Sequence, residues 1–385
     1  MSAVPATSLD TARPPDAASE TSGRFDWVLF LTATGLAAFG LLMMLSASSQ
    51  QADRIYGNAF HFVGRQTSAL GMGLALSLAS YLVPWRQMKR AGLVFYGVVF
   101  SLLVVVFFMP AVNGSHRWIK LGFVNVQPSE YAKIAVIVVL ASYLSANEGR
   151  MRDFWGTLVP AAFIPAPLLL LVLFEPDFGS FLILTLLTAT LLVVAGLQKR
   201  WIALGGLLGG TAVTLLMLIE PYRVRRIVSF VDPFADESGS GYQVVQGWIA
   251  LASGGYFGQG LGTGVAQSGF LPEAHTDFIS AVVGEEIGVM GWIGLTVAYM
   301  VLVWRGTNIA ARAPDLFGTL VAMGITTMLG MQAVINLGVV CGMLPAKGLV
   351  LPFMSYGASA ATVHVICVGL LLRVGLEGGK ETVNP

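Results

Sequence analysis

Asp26-Trp-Val-Leu-Phe-Leu-Thr-Ala-Thr-Gly-Leu-Ala-Ala-Phe-Gly-Leu-Leu-Met-Met-Leu-Ser-Ala-Ser48 has one ionisable residue, at its first position, and only apolar and small polar side chains after it. Wound as a helix at 1.5 Å per residue, the run reaches about 34 Å, enough to cross a hydrocarbon core of about 30 Å. It is too long for the core of a cleaved signal peptide, which needs only about 7–15 apolar residues, so it reads as a retained transmembrane helix. Similar runs fall near 63–84, 91–110, 128–146, 155–174, 179–197, 201–220, 278–303, 315–340 and 350–374. The expected fold is an all-α integral membrane protein, a ten-helix polytopic bundle over residues 25–375, and an even number of crossings puts both termini on one side. Residues 1–24, rich in Ala, Pro, Ser and Thr, have no apolar face to bury and read as a disordered tail; 376–385 form a second, short tail.

Composition agrees. Charged residues make up 11% of the chain, where a soluble domain carries roughly 25%, and the mean hydropathy is +0.75. With 22 Lys+Arg against 21 Asp+Glu the net charge is +1, so no electrostatic excess points to nucleic acid. Cys341 and Cys367 lie in apolar runs, and His61, His116, His275 and His364 show no metal-ligand spacing, which argues against a disulfide framework or a zinc site.

Lys and Arg are retained on the cytoplasmic side during insertion. The connectors after the second, fourth and sixth runs hold Arg86, Lys89, Arg90, Arg150, Arg152, Lys199 and Arg200, so both termini are expected in the cytoplasm. The opposite face then carries the two long loops, about 111–127 and, between helices 7 and 8, about 221–277. Long loops on a rigid scaffold tend to carry function, so the working face is expected to be extracytoplasmic.

Several polar residues are too costly in this setting to be filler. Arg117 sits beside Trp118 in the first long loop; Glu130 and Lys133 follow Pro128 in the first turns of a span, at a spacing that allows an internal ion pair. Asp177, in the turn Glu175-Pro-Asp-Phe-Gly179, reads either as a helix cap or as a substrate contact. Arg223, Arg225 and Arg226 concentrate positive charge on the outer side, where a bound pyrophosphate explains them better than anionic lipid does, because arginine matches phosphate oxygens with two parallel bonds. Thr276 or Asp277 reads as a cap for the next span or as something more. Glu285 and Glu286 lie about 12–14 Å deeper along that helix, so at least one is expected to face the bundle interior, with Lys133 its nearest cation by depth.

Two glycine clusters need separate readings. The run Gly254-Gly-Tyr-Phe-Gly-Gln-Gly-Leu-Gly-Thr-Gly264 is not a dinucleotide-binding loop, because no strand and helix of a soluble βαβ unit flank it; its glycines read as letting the backbone bend at the membrane surface or approach a ligand. Gly205, Gly206, Gly209 and Gly210 are expected to let two helices pack closely.

Taken together, Asn113-Gly-Ser-His-Arg-Trp-Ile119, Gln127-Pro-Ser-Glu130, Pro176-Asp-Phe-Gly179, Gly241-Tyr-Gln243, Leu271-Pro-Glu-Ala-His-Thr-Asp-Phe278, Gly284-Glu-Glu286 and Leu351-Pro-Phe-Met-Ser-Tyr-Gly357 resemble the SEDS family, the shape, elongation, division and sporulation proteins. Within it, Leu344-Pro-Ala-Lys-Gly-Leu-Val-Leu-Pro352 looks like the division-type FtsW pattern, with Lys347 in place of the smaller residue usual in RodA-like members. Two departures stand out: Glu175 where glutamine is common, and Ala358 where a second glycine is usual.

The resemblance implies an inverting peptidoglycan glycosyltransferase in the bacterial inner membrane, at the division septum, polymerising lipid II. It implies Asp277 as base, with Arg117, Glu130, Lys133, Arg223, Arg226, His275, Glu285, Glu286, Lys347 and Ser355 as residues for substrate. It implies no certain cofactor, with Mg or Mn as a candidate divalent cation, and as partners a class B penicillin-binding transpeptidase and other divisome membrane proteins. The rival readings are a lipid II flippase, in which Lys133, Glu285 and Glu286 line a polar path, and a non-enzymatic scaffold of the divisome.

Overall fold

The computed structural model describes residues 25–378 except 112–114, 122–123, 152, 220, 236–239, 265–270, 273 and 346–347. The helices are α1 (Trp27–Tyr56), α2 (His61–Leu82), α3 (Met88–Val106), α4 (Pro128–Ala146), α5 (Val159–Phe163), α6 (Ala166–Phe174), α7 (Phe178–Val194), α8 (Lys199–Ile219), α9 (Pro221–Val231), α10 (Ser240–Ser253), α11 (Ile279–Ala311), α12 (Leu316–Val340) and α13 (Ala358–Gly378). One antiparallel ribbon, β1 (Ile119–Leu121) and β2 (Val124–Val126), precedes α4, with Ile119 opposite Val126. Among the described residues eight helical stretches are long and apolar enough to cross a membrane, α5 and α6 counting as one; α7 is apolar but shorter.

Aspartates start several of the helices. The carboxylates of Asp26, Asp177 and Asp315 accept from Leu29 N, Ser180 N and Gly318 N and so satisfy donors that an opening helical turn leaves free. Gly57, left-handed at φ 65°, ends α1, a conformation that only glycine takes without strain.

α4 is the central helix. It is apolar on nearly every face and packs against α3, α7, α12 and α13, as a helix without a polar stripe must. α2 lies along α13, where Gly73 comes so near Thr362 that a Cβ would stand 2.9 Å from its carbonyl. α1 packs on α11 and is bonded to it at two levels: Arg305 Nη2 donates to Asp26 Oδ2 at 2.6 Å, and Ser46 Oγ to Glu286 Oε1 at 2.6 Å.

Four sequence expectations change. α1 runs on to Tyr56, and α11 to Ala311, beyond the apolar limits of their spans, because helix continues past the hydrocarbon where polar residues keep helical propensity. The last helix starts at Ala358, because Leu351–Gly357 folds into a buried turn. The long loop holds two helices of its own, α9 and α10. The glycines of α8 are not packed: among the described residues nothing stands within 4 Å of a Cβ built on Gly205, Gly206, Gly209 or Gly210, and α8 has no buried residue.

Candidate functional site

Four segments meet at the end of the bundle opposite the Asp26–Arg305 pair: 115–127, the α6–α7 turn, the approach to α11, and the stretch 348–357. The links between them are specific. Arg117 Nε donates to Glu175 O at 3.2 Å and its Nη2 to Pro176 O, so the guanidinium clasps the backbone of the turn. Asp177 caps α7 with Oδ1, while Oδ2 accepts from Gln127 Nε2 at 3.2 Å and Ser129 Oγ at 3.1 Å, fixing the start of α4 to the same turn. Gly179 leans on Leu349, and Leu349 O accepts from Asn336 Nδ2 at 2.9 Å.

Asn336 also reaches the approach to α11. Its Nδ2 donates to Asp277 O at 2.9 Å and its Oδ1 accepts from Ser280 Oγ at 3.2 Å. A polar side chain in the apolar run of α12 thereby pins Asp277 and the 348–349 backbone to one point. The N-cap of α11 is Phe278 and has no side-chain cap bond, so neither Thr276 nor Asp277 fills that position. The Asp277 carboxylate is part-exposed and lies over Gly348, where a Cβ would stand 3.2 Å from Oδ2.

His275 is buried, stacked at a tilt between Phe62 and Tyr356, and its carbonyl accepts from Tyr356 N at 2.9 Å. Ser355 is also enclosed: its hydroxyl accepts from Leu351 N at 2.8 Å, its carbonyl from Gln66 Nε2 at 3.0 Å. These two residues shape the wall of the site through backbone bonds. Arg226 lies part-exposed on α9. The Arg223 side chain and all of Lys347 lie outside the described residues.

Lys133 is fully enclosed, and its partner is Glu130: Nζ stands 2.6 Å from Oε1, one helical turn away on α4. The expectation that it pairs with Glu285 or Glu286 is therefore corrected, because the local geometry of i, i+3 supplies the counter-charge first. Nearby, His364 Nε2 meets Gln332 Oε1 at 3.0 Å.

Glu285 and Glu286 mark a break. Within α11, Gly288 has φ 79° and ψ −172°, outside helical geometry. The carbonyls of Glu285 and Glu286 accept instead from Gln259 N and Gly260 N at 3.0 Å, and Val289 N and Met290 N donate to Gly255 O and Tyr256 O at 2.9 and 3.2 Å. The glycine run thus supplies the hydrogen bonds that the helix loses there, which a backbone buried in an apolar setting requires. The glycines bend the backbone, with Gly255, Gly258, Gly260 and Gly262 all at positive φ, and what they approach is α11: a Cβ on Gly254 would stand 2.9 Å from Glu285 Cα.

Glu175 has no exposed surface, and neither carboxyl oxygen has a partner. Burial pushes its pKa up to about 8; the charge of Asp177 adds to the rise and Arg117 offsets part of it. Among the described residues no three His, Cys, Asp or Glu side chains converge as metal ligands, so no protein cage for a divalent cation is present there.

Gln66, Gln332 and Asn336 also bond here, although none stands out in the sequence as a charge does. Each is a polar side chain inside an apolar run, the same signal that singled out Lys133.

A family model described as "Cell cycle protein", covering FtsW, RodA and SpoVE, matches residues 26–378. The chain is 40% identical over 361 residues to a probable peptidoglycan glycosyltransferase FtsW of Geobacter metallireducens, covering 91% of this chain and 94% of that one. It is 41% identical over 358 residues to the protein of the same name from Allochromatium vinosum, covering 91% and 89%. Among solved structures it is similar to a chain of a peptidoglycan synthase complex described for coordination of polymerization and crosslinking, with 29% identity, a TM-score of 0.77 and coverage of 94% and 99%. It is similar also to the rod shape determining protein RodA of Thermus thermophilus, with 28% identity, a TM-score of 0.68 and coverage of 91% and 96%.

Proposed function

The chain belongs to the FtsW/RodA/SpoVE family, and on that premise we propose that it is a peptidoglycan glycosyltransferase that polymerises lipid II at the outer leaflet during septal wall synthesis. The names of its relatives support the activity, and the four-segment site gives it a physical basis.

Glycan extension needs a sugar hydroxyl to attack the anomeric carbon of a donor. The new glycosidic C–O bond forms as the bond to undecaprenyl diphosphate breaks on the opposite face, which inverts the centre. The hydroxyl proton passes to a base, and a diphosphate departs as an anion without needing one, so a single carboxylate suffices. Asp277 takes the role of base. The observation that carries this assignment is that Asp277 stands part-exposed where the four segments meet, one residue before the N-cap of α11, while Asn336 holds its backbone in place. Arg117 and the arginines of α9 are the groups suited to the departing diphosphate. No step is routed through a metal.

A transport reading that strings Lys133, Glu285 and Glu286 along one path is less favoured, since Lys133 closes on Glu130 and Glu286 bonds Ser46. The likeness to a synthase complex supports a class B penicillin-binding transpeptidase as partner. The test is lipid II polymerisation by the purified protein with that partner, its crosslinking blocked, comparing wild type with Asp277→Asn. Strands from wild type and none from an equally stable Asp277→Asn are expected. Strands from both would remove Asp277 as base; strands from neither, with the complex intact, would remove the polymerase reading.

A further inference from the structure

Glu175 lies in the wall of this site, and no step of the mechanism uses it. Its position is unusual: a carboxyl with no exposed surface and no partner for either oxygen, in a turn whose two neighbouring carbonyls hold Arg117. Among the described residues, the charged groups around it are committed. On its own turn, Asp177 spends both oxygens on Ser180, Gln127 and Ser129. On the 115–118 segment, Arg117 bonds the turn's backbone, and the His116 ring is engaged with Met109 O. On α4, Glu130 and Lys133 close on each other.

A charged carboxylate in that place would have neither water nor a donor, and the nearest anion, Asp177, would repel it. Among the described residues the one cation able to answer is Arg117, and it could do so only by leaving the carbonyls of Glu175 and Pro176. A neutral carboxyl makes no such demand. Building on the glycosyltransferase reading, we propose that Glu175 is a positioning residue that works in its protonated form, keeping the α6–α7 turn closed and Arg117 aimed at the site, and that its ionisation releases both.

Glutamine has the shape of the protonated acid and cannot ionise, which makes Glu175→Gln the discriminating variant. Polymerisation of lipid II with the partner transpeptidase, crosslinking blocked, is measured from pH 6 to 9.5 for wild type and Glu175→Gln. The expected wild-type rate is level below pH 7, half-lost near pH 8, and about tenfold down one unit higher. Glu175→Gln is expected to hold the plateau rate throughout.

Parallel profiles for the two proteins would overturn the proposal. So would a Glu175→Gln variant that melts like wild type and is inactive at pH 7. If wild type makes no strands at any pH, the glycosyltransferase reading fails first, and the thermal midpoints decide the rest. A wild-type midpoint that falls between pH 6 and 9 while that of Glu175→Gln stays level supports the neutral carboxyl, and equal midpoints at every pH remove it.

Discussion

Replacing Lys133 by methionine tests whether the buried pair on α4 is structural. Lys133 is wholly enclosed and Glu130 nearly so; their one bond is 2.6 Å long, and Glu130 Oε2 has no other partner. Methionine fills most of the volume of the lysine stem, so little packing is lost, but Glu130 is left as a carboxylate in an apolar interior with no counter-ion. Breaking a buried pair from one side costs about 3–5 kcal/mol, whereas replacing both partners by neutral groups of similar volume is often close to neutral. Lys133→Met is therefore expected to lose about 3–5 kcal/mol, and Lys133→Met/Glu130→Gln to regain most of it. The assay is reversible unfolding in mixed micelles, followed by strand synthesis at a temperature where each variant is folded. A single variant that loses under 1 kcal/mol would refute the burial argument. A double variant as unstable as the single would show that Lys133 serves some group other than Glu130. Full activity in a stable double variant would place the pair outside the chemistry; a stable but inactive one would give it a role there.

Gly288→Ala puts a side chain at φ 79° and sets its Cβ 2.6 Å from Phe257 N; strain of about 1–3 kcal/mol plus the clash should part the glycine run from α11, read as faster amide exchange at Gln259 and Gly260. Asp177→Ala removes a cap and leaves Ser129 and Gln127 without an acceptor, an expected loss of about 2–4 kcal/mol measured by thermal unfolding. Ser46→Ala takes a donor from the nearly buried Glu286 carboxylate, an expected loss of about 1–3 kcal/mol in the same assay. The pH dependence of stability has a defined sign at Glu175: its folded pKa is raised from 4.5 to about 8. The folded state then binds the extra proton between those values, so stability falls as pH rises from about 4.5 to about 8 and levels off beyond. Glu175→Gln should flatten that slope.

Where the chain crosses an apolar core was legible because a span is a local property, about 20 apolar residues in a row. What the apolar runs could not report was contact between distant segments. Gly288 looks like any glycine in a membrane helix, and its break exists because Gly254–Gly260 lies 28 or more residues earlier, ready to supply hydrogen bonds. Leu351–Gly357 is as apolar as a helix end, yet Gln66, Tyr299 and the Ser355 hydroxyl hold it as a turn. The glycines of α8 carried a packing pattern, yet among the described residues nothing stands within 4 Å of a Cβ built on them. In the site, Lys133 and Asp277 were conspicuous as charges in or beside apolar runs. Asn336, which holds the Asp277 backbone, is neutral and so stood out less, although it occupies the same kind of position.

The two bonds between α1 and α11 act as a gauge. Asp26–Arg305 and Ser46–Glu286 are separated by 20 residues on α1 and 19 on α11, about 28–30 Å at 1.5 Å per residue. That interval is close to the thickness of a bilayer's hydrocarbon, and between the two pins neither helix carries a charged side chain. The helices cannot slide past one another or tilt apart without breaking a pin, and the pair has a fixed hydrophobic length. In a thicker bilayer the surplus hydrocarbon has to be met by thinning of the lipid around the protein, at fractions of a kcal/mol per Å. Reconstitution across lipids of graded chain length should accordingly show greatest stability where the lipid thickness matches the pins.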